Sequence, residues 1–113
     1  MSPNALGSVF SAESIPSLRC RVICGAANNQ LLNDPADATL LVERGIVYAP
    51  DYVVNCGGVI SAAVQASGMR EEEAERLAAR VYETTIEVFR IAETERITPA
   101  EAAAILVQRR LKG

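Results

Sequence analysis

The sequence predicts an α/β fold that is only part of a domain, with two short parallel strands followed by a mainly helical C-terminal half. Three observations predict it. Two runs rich in Val and Ile, Leu18–Gly25 and Ile46–Ala49, flank a segment with helix-start and helix-stop signals, and strands alternating with helices build parallel sheets. From Glu71 onward the apolar residues recur at three- and four-residue spacings, with no further strand pattern. Two strands are few for a parallel sheet, which is normally covered on both faces. The 113 residues therefore read as one partial domain, 1–113, the end of something larger. They contain no linker, low-complexity stretch or internal repeat.

The elements follow in order. The N-terminal region leaves room for a short helix. In Leu18–Gly25, Cys20, Val22 and Cys24 alternate as on a strand that stops at Gly25. Ala26–Gln30 is small and polar, suited to a loop. Asp34 is placed to cap a helix with Pro35 at its first position and Asp37 in its first turn. That helix runs to about Arg44 and ends at Gly45. Ile46–Ala49 is the second strand, limited by Pro50. Asp51–Val54 is expected to continue extended or irregular, before an apolar helix from about Val59 to Ala66, with Gly68 near its end. Glu71 to about Arg96 is the longest helix, its stripe formed by Ala74, Leu77, Ala78, Val81, Thr85, Val88, Phe89 and Ala92. Thr98-Pro99-Ala100-Glu101 matches a capping box with Pro at the first position, opening a last helix to about Leu111.

Composition limits the function. Half of the residues are apolar and the net charge is −3, which argues against disorder and against nucleic-acid binding, since no basic stripe is present. The apolar runs are too short and interrupted to span a bilayer. The N-terminus has neither a basic n-region nor an apolar h-region, so a cytoplasmic protein is expected. Cys20, Cys24 and Cys56 are odd in number and there is no histidine. Reduced, buried thiols are expected rather than a metal site, because structural zinc wants four N/S ligands in knuckle spacing.

Two segments carry potential chemistry. In Tyr48–Ile60, Asn55 stands where an extended segment meets a helix, followed by Gly57 and Gly58. Residues without a Cβ let a ligand approach the backbone, free N–H groups at a helix start attract a carboxylate, and an Asn amide both donates and accepts. A small polar ligand such as an amino acid or a carboxamide suits that set; a plain Asn cap with a tight glycine turn accounts for the same residues. In Cys24–Gln30, Asn28 and Asn29 lie beyond a strand's C-terminal end, where open α/β sheets bind ligands. Adjacent asparagines also satisfy turns through their own side chains.

Taken together, Gly25-Ala-Ala-Asn-Asn-Gln-Leu31 and Gly45-Ile-Val-Tyr-Ala-Pro-Asp-Tyr-Val-Val-Asn-Cys-Gly-Gly-Val-Ile60 resemble the Glu/Leu/Phe/Val dehydrogenase family, in particular its leucine, valine and phenylalanine branch. Ser2-Pro3-Asn4-Ala5-Leu6-Gly7 is similar to that family's Pro-x-Ala-Leu/Met-Gly turn, and the resemblance covers nearly the whole chain. It implies the C-terminal part of a Rossmann-like NAD-binding domain, and oxidative deamination of L-amino acids to 2-oxo acids with NAD as cofactor. It also implies that Ala5 lies beside the nicotinamide-side ribose, that Asn28 and Asn55 approach nicotinamide and substrate, and that Val59 and Ala62 face the substrate side chain. Glutamate-specific members tend to place a hydroxyl residue where Ala62 stands. An apolar pocket penalises a buried carboxylate, so a preference for apolar amino acids is expected. Cys56 stands where the family usually has Ala.

The family's glycine- and lysine-bearing substrate domain, with its catalytic acid/base pair, has no counterpart in these residues, and no G-x-G-x-x-G fingerprint is present. No catalytic residue is expected here; Lys112, the only lysine, sits in the helical tail. The expectation is an inactive isolated chain that associates with copies of itself or with a missing N-terminal segment. A non-catalytic helical oligomerisation module is the alternative, supported by the amphipathic stretch from Glu71.

Overall fold

The computed structural model describes all 113 residues. Its elements are a 3-10 turn at Ile15–Ser17, β1 (Val22–Ile23), α1 (Ala36–Glu43), β2 (Val47–Tyr48), α2 (Asp51–Val54), α3 (Gly57–Ser67), α4 (Glu71–Glu95) and α5 (Pro99–Lys112). β1 and β2 pair in parallel, Val22 opposite Val47 and Ile23 opposite Tyr48. The partial α/β architecture expected from the sequence is present.

The sheet sorts its residues by face, as a period of two requires. Ile23 and Tyr48 are buried, whereas Val22 and Val47 are about half exposed, at 51% and 47%. The apolar face is therefore the opposite of the one suggested by Cys20, Val22 and Cys24. Cys24 is exposed and Cys20 and Cys56 are partly buried, which corrects the expectation of buried thiols. Only Val22 and Ile23 of the Leu18–Gly25 run form ladder pairs. The backbone beyond them turns to meet the N-terminus, with the Met1 amine donating to the Val22 carbonyl at 2.7 Å and Cys24 N–H donating to the Met1 carbonyl at 3.1 Å.

The helix starts show where local signals prevail and where they do not. α1 begins at Ala36, after a cis Asp34–Pro35 bond, and no side chain caps it. Asp34 is not the cap. Instead the buried Asp37 carboxylate accepts the Asn33 N–H at 2.7 Å. Gly45 ends α1 with φ +67°, as expected for a helix stop. Asp51–Val54, expected to be extended, is a single helical turn behind Pro50, and four residues are too few for periodicity to reveal it. α3 starts two residues earlier than expected and ends at Gly68, φ +64°. Thr98 and Glu101 form the expected capping box.

Two apolar clusters hold the chain. Phe10, Ile15, Ile23, Leu41, Ile46 and Tyr48 form the α/β core, and Val88, Ile91 and Ala92 of α4 meet Ala102, Ala103 and Leu106 of α5 in a helical core. α3, which buries no residue, lies against α4, and the short α2 bridges toward α4. Asn55 sits at the C-cap of α2, between the two cores.

Candidate functional site

The loop after β1 is held in shape by four kinds of contact. Buried Gln30 donates its side-chain amide to the carbonyls of Gly25 and Ala27, at 2.8 and 2.9 Å. The Pro3–Gly7 turn lies directly on the loop, with Ala27 N–H reaching the Pro3 carbonyl at 3.0 Å and Ala26 N–H the Asn4 side chain at 2.8 Å. A Cβ added to Gly25 would come within 2.2 Å of the Pro3 carbonyl oxygen, so this glycine is required by the close approach. Asn29 adopts φ +51°, a left-handed conformation Asn tolerates. Its carbonyl accepts from Ser8 N–H at 2.6 Å and its N–H donates to the Asp51 carboxylate at 2.7 Å.

The two adjacent asparagines thus divide the two readings of the sequence. Asn29 is the turn residue. Asn28 keeps its side chain outward, where its Oδ1 accepts a hydrogen bond of 2.5 Å from Nδ2 of Asn55, a residue 27 positions away. The bond joins the loop after β1 to the turn between α2 and α3. It leaves both Asn28 Nδ2 hydrogens, one Asn55 Nδ2 hydrogen and the Asn55 Oδ1 for an outside partner. Donors and an acceptor side by side match a carboxamide or a carboxylate.

Beside this clasp, α3 begins without a side-chain cap. At Gly57 and Gly58 an added Cβ would meet nothing within 4 Å, so the space over this helix start is open. Val59 and Ala62, three apart on one side of α3, are both exposed, Val59 at 71%. Ile60, Ser61 and Val64 line the clefts on the α4 side. Ala5 is exposed at the crest of the Pro3–Gly7 turn, whose Gly7 would clash with the Asn28 carbonyl oxygen, at 2.6 Å, if it carried a Cβ. Cys56 lines an apolar cleft of about 340 Å³ among α2, α3, α4 and α5.

Under the clasp lies a network that sequence reasoning did not find. Asp51, 8% exposed, accepts from Tyr48 Oη–H at 3.0 Å as well as from Asn29 N–H. Burial, reinforced by the Asp51 charge, pushes the Tyr48 hydroxyl far above the ordinary tyrosine range. Burial, then the charges of Asp34 and Asp51, push Tyr52 up to about 12. Asp34 is also raised, by burial first and then by Asp51, Asp37 and Glu101. Both tyrosines stay protonated as donors, Tyr52 to the Ala100 carbonyl at 3.2 Å. The one local signal was Pro50-Asp51, an acidic residue directly after a strand end. No three His, Cys, Asp or Glu side chains cluster closely enough to hold a metal ion, and no helix is long and apolar enough to cross a membrane.

The fold and the clasp can be set beside known proteins. The model of the Glutamate/Leucine/Phenylalanine/Valine dehydrogenase family matches residues 1–112. The chain belongs to this family. It is 44% identical over 110 residues to a valine dehydrogenase of Streptomyces albus, covering 97% of this chain and 30% of that protein. The crystal structure of an L-tryptophan dehydrogenase from Nostoc punctiforme superposes with a TM-score of 0.94 at 38% identity, covering 98% of this chain and 34% of that one. A glutamate dehydrogenase of Peptoniphilus asaccharolyticus superposes less closely, with a TM-score of 0.68 at 29% identity over 99% of this chain and 31% of that one. The chain thus spans about a third of the length of the family members it matches.

Proposed function

We propose that these residues form one wall of the crevice of an NAD-dependent dehydrogenase that deaminates apolar L-amino acids to 2-oxo acids. The single observation that carries this reading is the Asn28–Asn55 bond beside an open, glycine-started helix. It sets unused amide donors and an acceptor next to uncovered N–H groups, a set suited to a carboxamide and a carboxylate. The open space over Gly57 and Gly58, where an added Cβ would meet nothing within 4 Å, leaves room for a nicotinamide to approach the backbone and supports NAD as the cofactor. When bound, NAD accepts the hydride released from the amino acid's Cα. Asn28 and Asn55 orient the nicotinamide and the substrate, and the turn carrying Ala5 borders the ribose. Val59 and Ala62 meet the substrate side chain. Neither offers a hydrogen bond, so a side-chain carboxylate would be buried without a partner, which disfavours glutamate.

In this reading the 113 residues are a single partial domain that binds and orients but has no acid/base group for deamination, so the chain alone has no turnover. The amphipathic stretch from Glu71, which suggested an interaction module, buries Val88, Ile91 and Ala92 against α5, while Leu77 and Val81 line the open apolar cleft among α2, α3, α4 and α5. The three free thiols suit a reducing, cytoplasmic setting.

Calorimetric titration with NAD tests the reading. Replacing both asparagines (Asn28→Ala with Asn55→Ala) is expected to weaken NAD binding about tenfold to a hundredfold, the cost of two lost polar contacts, while thermal unfolding changes little. Unchanged affinity in the double variant, or amino-acid turnover by the chain alone, would contradict it.

A further inference from the structure

We propose that Asp51 is the positioning residue of the Asn28–Asn55 clasp. It alone bonds to both segments that carry the two asparagines. Its carboxylate accepts the Asn29 N–H at 2.7 Å, fixing the loop one residue from Asn28. Its backbone carbonyl accepts the Asn55 N–H at 2.7 Å, closing the α2 turn on which Asn55 rides. Its second carboxylate oxygen accepts from Tyr48 at 3.0 Å, and its own N–H donates back to that hydroxyl at 3.3 Å. The side chain is thereby held from both ends in a site only 8% exposed. Tyr48 belongs to β2, and Ile23 of β1 is its ladder partner, so the carboxylate is referenced to the sheet rather than to a mobile surface.

The geometry explains why the charge matters. Asn29 sits at φ +51°, a turn conformation that Asn adopts more readily than other residues with a Cβ. An N–H bond to an ionised acceptor is about twice as strong as one between neutral groups, and this bond anchors the turn residue next to Asn28. Ser8 grips the Asn29 carbonyl from the other side, and apart from the clasp itself Asp51 is the hydrogen-bonded tie between the loop and α2. Removing the carboxylate frees Asn28 to drift from Asn55 while leaving both asparagines present. Asp51 touches neither asparagine side chain, so its effect on a ligand is indirect and rests on the function proposed above.

The test uses the ¹⁵N-labelled full chain, observing the side-chain amide signals of Asn28 and Asn55 and the exchange of the Asn29 N–H. In Asp51→Ala the Asn29 N–H is expected to exchange at least about tenfold faster, as a lost charged hydrogen bond implies, and both side-chain amide pairs to shift. Tyr48→Phe removes the other bond to the same carboxylate. It is expected to lower the melting temperature but shift the two side-chain amide pairs less than Asp51→Ala does, because the Asn29 bond to the carboxylate remains, an outcome that general loosening of the fold would not give. Asp51→Asn keeps the shape but not the charge, and its signals should lie between wild type and Asp51→Ala. It also carries the test if Asp51→Ala does not fold. Side-chain amide pairs unmoved in Asp51→Ala, in Asp51→Asn superimposed on wild type, or shifted equally by Tyr48→Phe would overturn the proposal. NAD titration of the same samples separates the two claims. Shifted amides in a protein whose wild type ignores NAD would uphold Asp51 and sink the functional reading. Intact NAD binding with unmoved amides would do the reverse.

Discussion

At Gly57 and Gly58 the backbone angles are ordinary for a helix, and the chain itself places nothing where a Cβ would stand. Folding therefore does not require glycine there. Gly58→Ala is expected to stabilise the protein by about 0.5–1 kcal/mol, because alanine has less freedom to lose on entering a helix, while weakening NAD or amino-acid binding. A rise in melting temperature together with lost affinity is the predicted pair of results; a rise with affinity intact would mean the open space is not a ligand's. At this scale the sequence disclosed Asn28, Asn55 and the glycine pair, because each is marked by its neighbours. It did not disclose Asp51 or Gln30. Asp51 acts on Asn29, 22 positions away, and Gln30 acts on a loop whose fold must be known before its carbonyls can be located.

Among the elements, the helices were legible where their ends carry their own chemistry. Gly45, Gly68 and the Thr98–Glu101 box mark ends that the structure keeps. Asp34 misled because the Asp37 N–H that it would have capped donates instead to the Asn33 carbonyl, at 2.9 Å, and α2 was hidden because one turn has no period. The strands shrank to two residues each, since ladder pairing depends on neighbours as well as on β-branched composition. The capping box supports a direct prediction. Thr98→Ala should cost about 1 kcal/mol at neutral pH, measured by urea unfolding. Bonds from Thr98 hold the Glu101 carboxyl below the usual glutamate range. Its contribution is therefore complete above the unfolded glutamate value and is lost as pH falls through the lowered folded value. The difference between wild type and variant should shrink accordingly below about pH 4. A difference that grew on acidification would show that the Glu101 charge is not part of the cap.

For the whole molecule, the two cores define an extended body of 45 × 33 × 20 Å with one sheet face uncovered. Val22 and Val47 stand side by side on that face, and parallel sheets are normally covered on both sides. Association through this face is expected. Sedimentation at micromolar concentration should give a dimer or larger species, and Val47→Lys should shift it toward monomer. A monomeric wild type would contradict this. The family was legible from the motif order alone. The uncovered face was not, because the Cys20, Val22 and Cys24 alternation named the wrong side as the interior.

The central claim is that Asn28, Asn55 and the start of α3 form one continuous ligand wall. The most direct measurement is a ¹⁵N shift map of the chain titrated first with NAD and then with L-leucine. Perturbations are expected to concentrate at the side-chain amides of Asn28 and Asn55 and at the N–H groups of Gly57, Gly58 and Val59. Perturbations confined to the α4–α5 region, or none at millimolar ligand, would contradict it.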